Sequence, residues 1–98
     1  MYIEYSSGKL AEASLSISEA TRLFGVAIGR KYIQRVAILK VADKFTQLYG
    51  ISTLRMHQLK GPRTGEYAIT LTGNYRLLIQ KIEEDKVRIK DVEDYHGN

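Results

Sequence analysis

A chain of 98 residues is long enough for one modest core, so a single domain over 1–98 is expected and a two-domain arrangement is set aside. It has no cysteine, which rules out a disulfide framework or a thiolate metal site, and its two histidines cannot alone close a structural zinc site. Fifteen Lys and Arg against eleven Asp and Glu leave a net charge of +4, a balance that favours polyanions such as RNA without singling them out.

The opening residues MYIEYSSGKL carry no basic segment followed by an apolar run, and no stretch is long and apolar enough to span a bilayer. A cytoplasmic protein without membrane association is expected. Tyr2-Ile3-Glu4-Tyr5 alternates and predicts a short strand. Ser16-Ile17-Ser18-Glu19 has capping-box spacing, so a helix should begin there, with Gly25 and Gly29 interrupting or kinking it.

From Arg30 onward, Tyr32, Ile33, Val36 and Leu39 fall within one sector at about 100° per residue, while Arg30, Lys31, Gln34 and Arg35 fall opposite. That is an amphipathic helix with a basic face. Its stripe blurs after Leu39, and a second short helix is expected to reach about Tyr49 and stop at Gly50.

The second half changes period. Tyr67, Ile69 and Leu71 alternate with Glu66, Ala68, Thr70 and Thr72, and Gly73-Asn74 then offers two residues that tolerate positive φ before Tyr75 to Ile82 resumes a β-rich run. This predicts a β-hairpin. Glu83 to Lys86 reads as a polar turn and Val87 to Val92 as a further antiparallel strand leading to Asp94-Tyr95-His96. The fold class is therefore α+β: N-terminal helices packed on one face of a small antiparallel sheet of three or four strands, the other face open to a substrate. Alternation leaves the two faces undecided, because Arg76, Leu78 and Ile82 share one side of their strand and Tyr75, Leu77 and Ile79 the other.

The residues suited to chemistry fall in separate blocks. His57 precedes the basic loop Lys60-Gly61-Pro62-Arg63-Thr64-Gly65, whose glycines let backbone approach a phosphate, and His96 follows Asp94-Tyr95. RNA is cleaved without a metal when one group removes the 2′-hydroxyl proton, another protonates the departing 5′-oxygen, and cations stabilise the phosphate between them. An imidazole, with an unperturbed pKa of about 6.5, suits either proton-transfer role. His57 and His96 with Lys60, Arg63 and Arg76 contain these parts. Asp94 would orient or charge a neighbouring base, and Tyr95 would stack on a nucleobase or donate its hydroxyl. The bland reading of the same residues is a surface histidine, a solvated turn and a solvated helix face at Arg30, Lys31 and Arg35.

The order of the blocks adds to this. R-M-H-Q-L-K-G-P-R-T-G from Arg55 to Gly65, G-N-Y-R at Gly73 to Arg76, and D-Y-H at Asp94 to His96 resemble the signature of HigB-like toxins in the RelE/ParE superfamily. The resemblance implies a RelE-like fold, ribosome-dependent cleavage of messenger RNA and neutralisation by a helix-turn-helix antitoxin of the HigA type. It implies no cofactor or metal. It places His57, Lys60, Arg76, Asp94, Tyr95 and His96 at the active site. His57 and His96 would form the proton-transfer pair, in either assignment of acid and base, assisted by Asp94. Lys60 and Arg76 would stabilise the phosphate, and Arg63 would hold the RNA backbone. The competing readings are a toxin of this fold that clamps a protein target such as DNA gyrase, and a degenerate relative that binds only antitoxin or RNA.

Overall fold

Polar caps decide where the first helices begin. In the computed structural model, which describes residues 1–63 and 65–94, the Ser7 hydroxyl accepts from the Leu10 N–H and the Ser16 hydroxyl accepts from the Glu19 N–H at 3.1 Å. They open α1 (Gly8–Ala13), which the sequence did not announce, and α2 (Ile17–Phe24). Glu19 turns its carboxylate to Arg22.

Gly25, with φ of 86°, ends α2, and the longest helix, α3 (Val26–Val41), starts directly after it. Gly29 therefore does not break a helix but lies inside one. A Cβ there would stand 2.8 Å from the backbone of Ala20 and Thr21, so the glycine is what lets α2 and α3 touch main chain to main chain. The buried side of α3 carries Tyr32, Val36 and Leu39, as the 100° periodicity requires, and the Tyr32 hydroxyl donates to the Leu10 carbonyl at 2.7 Å. The expected second short helix is a 3₁₀ helix over Phe45–Gly50, which buries Phe45 and Leu48.

The sheet has five strands, β1 (Tyr2–Tyr5), β2 (His57–Gln58), β3 (Glu66–Thr70), β4 (Tyr75–Glu83) and β5 (Lys86–Asp94), in the spatial order β1-β5-β4-β3-β2. It is larger than expected and not purely antiparallel: β1 runs parallel to β5, with Tyr2 opposite Lys86 and Tyr5 opposite Ile89. Four alternating residues identify a strand but carry no information about which neighbour it pairs with. The β3–β4 hairpin is present, but its turn is wider than a two-residue connection: β3 ends at Thr70, and neither Gly73 nor Asn74 uses positive φ.

Tyr67, Ile69, Leu77, Ile79, Val87 and Ile89 are buried together with the helices. Glu66, Ala68, Thr70, Arg76, Leu78 and Gln80 alternate with them on the open face of the sheet. Leu78 pairs with Asp91 and Ile79 with Ile89, so Lys90 is an extra residue in β5, a bulge that returns Val92 to the helix side and Glu93 to the open one. Between β1 and β5, the Glu4 carboxylate takes Lys86 at 3.0 Å and Arg88 at 2.9 Å.

Gly29→Ala should force the α2–α3 contact apart at a cost of roughly 1–3 kcal/mol, the usual range for overpacking, and lower the thermal midpoint by several degrees. Gly8→Ala, with open space around the added methyl, is the matched comparison.

A second expectation concerns acid. Hydrogen bonds from Lys86 and Arg88 hold the Glu4 carboxyl below its ordinary value of 4.5. Because the native value is the lower one, the stabilisation is complete above pH 4.5 and disappears as pH falls through the native pKa. The urea midpoint should drop as pH falls below 4.5, and Glu4→Gln should remove part of that drop.

Candidate active site

Three segments distant in sequence supply the open face. A 3₁₀ turn over Ser52–Leu54 ends at Arg55, whose φ of 46° is the left-handed conformation unusual for a side-chain-bearing residue. The chain then enters β2, where His57 is exposed and registered opposite Ala68, and its Nδ1 lies 3.4 Å from the Arg55 carbonyl oxygen. Since Ala68 is opposite Leu78 and Leu78 opposite Asp91, His57 heads a row of open-face residues that crosses the sheet.

The connection from β2 to β3 carries Lys60, which is exposed, and bends at Gly61 and Gly65, with φ of 72° and 87°. Both are conformations that favour glycine, so the two glycines of the motif are required by the loop itself. Arg63, in the 3₁₀ turn Gly61–Arg63, reaches back over the sheet. Its Nη2 is 3.5 Å from Glu66 Oε1 on β3 and its Nη1 3.6 Å from Glu93 Oε1 on β5. The guanidinium thus spans β4, where Leu78 is 2% exposed although it stands outside the main core cluster. Both ion pairs are long and half-exposed, each worth about 0–1 kcal/mol.

Arg76 is the second residue of β4, registered against Thr70 on one side and Glu93 on the other. Its Nη1 donates to the Thr72 carbonyl at 2.8 Å, the Tyr75 carbonyl at 3.0 Å and the Gly73 carbonyl at 3.3 Å, which ties the guanidinium to the hairpin turn. The Arg76 row lies two pairs along from the His57 row, the next on the same face. Their backbones are about 10 Å apart across two strand spacings and about 7 Å along the strands.

The sheet thus brings His57, Arg63 and Arg76 to one face. Asp94 does not share it by register: it pairs with Tyr75, which packs toward the helices, and it is exposed at the end of β5. Tyr95 and His96 lie outside the described residues. Arg30 and Lys31 are exposed on α3, on the helical layer and away from the open face.

Arg35 corrects the expected basic helix face. It is 8% exposed, and its Nε donates to the Thr70 carbonyl at 2.9 Å, so it ties α3 to the end of β3 and does not belong to an exposed basic face. Burial lowers its pKa. Helical periodicity put it opposite the apolar stripe but could not show that the sheet packs over that edge. Glu66 and Glu93 were passed over in the sequence. Glu93 sits inside V-E-D-Y-H, and only the Lys90 bulge reveals its face.

No family model matches the chain, and no curated protein matches it in sequence. Solved structures do match over nearly the whole length. A YoeB/ParE toxin from Agrobacterium tumefaciens superposes with a TM-score of 0.67 at 10% identity, covering 98% of this chain and 100% of its own. This chain has the YoeB/ParE toxin fold. YoeB in the YoeB-YefM complex from Staphylococcus aureus gives 0.62 at 18% identity, covering 99% and 98%. YafQ from E. coli strain BL21(DE3) gives 0.59 at 11%, covering 94% and 90%. Within this YoeB-like fold no group of three or more His, Cys, Asp or Glu able to hold a metal occurs among the described residues, and no helix there is long and apolar enough to cross a membrane.

Arg35→Met keeps much of the volume but leaves the Thr70 carbonyl without its donor, which should cost about 1–3 kcal/mol in urea unfolding. Unchanged stability would show that the Arg35–Thr70 contact does not hold α3 to the sheet.

Proposed function

We propose that this chain is the toxin of a toxin–antitoxin pair and a metal-independent endoribonuclease that cleaves messenger RNA on the ribosome. The observation that carries the reading is the gathering of His57, Arg63 and Arg76, from three motif blocks resembling HigB-like toxins, on the one sheet face that the helices leave open. The toxin fold and the basic charge support it.

The chemistry proposed is transfer within the RNA. A base takes the proton of the 2′-hydroxyl, its oxygen attacks phosphorus, the bond to the 5′-oxygen breaks, and an acid protonates that leaving oxygen. The products are a 2′,3′-cyclic phosphate and a 5′-hydroxyl end. His57 and His96 are the proton-transfer pair, Asp94 assists as the carboxylate next to Tyr95 and His96 in the chain, and Tyr95 supplies a stacking ring or a hydroxyl. Arg76, held in place by the hairpin carbonyls, meets the charge that builds on the phosphate, and Lys60 adds a second cation. Arg63 holds the RNA backbone. Arg30 and Lys31, on the helical layer, contribute sequence-independent attraction.

The natural partner in this reading is a helix-turn-helix antitoxin of the HigA type. One solved structure of the same fold is a YoeB-YefM complex, which supports an antitoxin partner. Action in the cytoplasm follows from the substrate.

His57→Ala and His96→Ala should each reduce cleavage in a translating extract by about 10²–10⁴-fold with the fold intact by circular dichroism, and chelation of divalent metals should leave single-turnover cleavage unchanged. Arg76→Ala should lower kcat more than it raises KM, with only partial rescue by lysine, while Arg30→Ala and Lys31→Ala should weaken association and flatten its salt dependence. Inhibition of gyrase with intact RNA would instead identify a clamp on a protein target.

A further inference from the structure

Arg63, carried by the loop before β3, meets two carboxylates on two different strands. Glu66 holds it at 3.5 Å from β3 and Glu93 at 3.6 Å from β5, so the guanidinium lies across β4 instead of extending into solvent with its loop. The bent loop, pinned at Gly61 and Gly65, delivers it there. Glu93 is also registered opposite Arg76 on β4, so the residue that meets Arg63 stands on the strand position beside a second arginine. A bidentate anion between two guanidiniums is the arrangement a phosphate diester adopts with an arginine pair.

We infer that Glu93 is a phosphate placeholder: in the free protein its carboxylate occupies the position on Arg63, beside Arg76, that an RNA phosphate takes over on binding, and it thereby sets RNA affinity. This inference rests on the open face being the RNA-binding face. The exchange is feasible because the ion pairs are long, and the side chains of Arg63 and Glu93 are 40% and 41% exposed, so the carboxylate can swing into water as the phosphate arrives. Glu66 is the second anchor. With Glu93 displaced, it keeps Arg63 over the sheet while one side of the guanidinium turns to the diester. The carboxylates also keep the arginines from closing on arbitrary anions, so small anions compete poorly with a polyanion that fills the whole row. No covalent step is involved, and Glu93 touches neither the 2′-hydroxyl nor the leaving oxygen.

The test measures binding apart from cleavage. A fluorescent single-stranded 2′-O-methyl oligoribonucleotide, which has no free 2′-hydroxyl to attack, is titrated with wild type, Glu93→Gln, Arg63→Gln and the double variant at low salt. Glu93→Gln should tighten binding about three- to tenfold, the effect should fall away as salt is raised, and it should shrink to near nothing in the Arg63→Gln background. Asp85→Asn, which removes an equal charge at the distant β4–β5 turn, corrects for net charge. Weaker binding by Glu93→Gln, unchanged binding, a gain equal to that of Asp85→Asn, a gain that persists without Arg63, or no binding by the wild type each overturns the inference. Cleavage of messenger RNA by the wild type in a translating extract is read separately, so loss of the nuclease reading and loss of the placeholder remain distinguishable.

Discussion

The two layers are joined where a buried guanidinium meets a strand end. Arg35 reaches out of α3 to the Thr70 carbonyl, and Thr70 is the cross-strand neighbour of Arg76. A buried cation without hydrogen bonds costs several kcal/mol, so this side chain is tolerated only while α3 and the β3–β4 hairpin keep their mutual position. On its other side α3 is fixed by the main-chain contact at Gly29. The helix is thereby held from both directions, against α2 and against the sheet. The hairpin that carries Arg76 inherits that rigidity through one hydrogen bond.

What the helices secure from beneath, the open face balances from above. Glu4 with Lys86 and Arg88, and Glu66 and Glu93 with Arg63, form a layer of charges of alternating sign over the strands. Each pair is partly exposed and weak in water. Their collective consequence is positional: the arginines lie against the sheet at defined rows. Arg30 and Lys31, solvated on α3, lack such a frame. Position rather than charge count separates the two sets of cations.

The sequence determined the elements wherever local physics was sufficient. The Ser16 cap, the stripe of Tyr32, Val36 and Leu39, the alternation of Tyr67, Ile69 and Leu71, and the reversal near Gly73 each follow from backbone geometry within a few residues, and with them the α+β class. The motif blocks around His57 and Arg76 were legible too, as residue types in order. Tertiary structure decided what no local pattern encodes. Strand β1 pairs in parallel with β5 because partner choice depends on residues more than 80 positions away. Arg35 is buried because a sheet built from the second half of the chain packs over it. Gly29 serves contact instead of interruption because α2 folds back on α3. The face of Glu93 turns on one extra residue at Lys90, since a strand has period two and a single-residue bulge moves every later side chain to the other side.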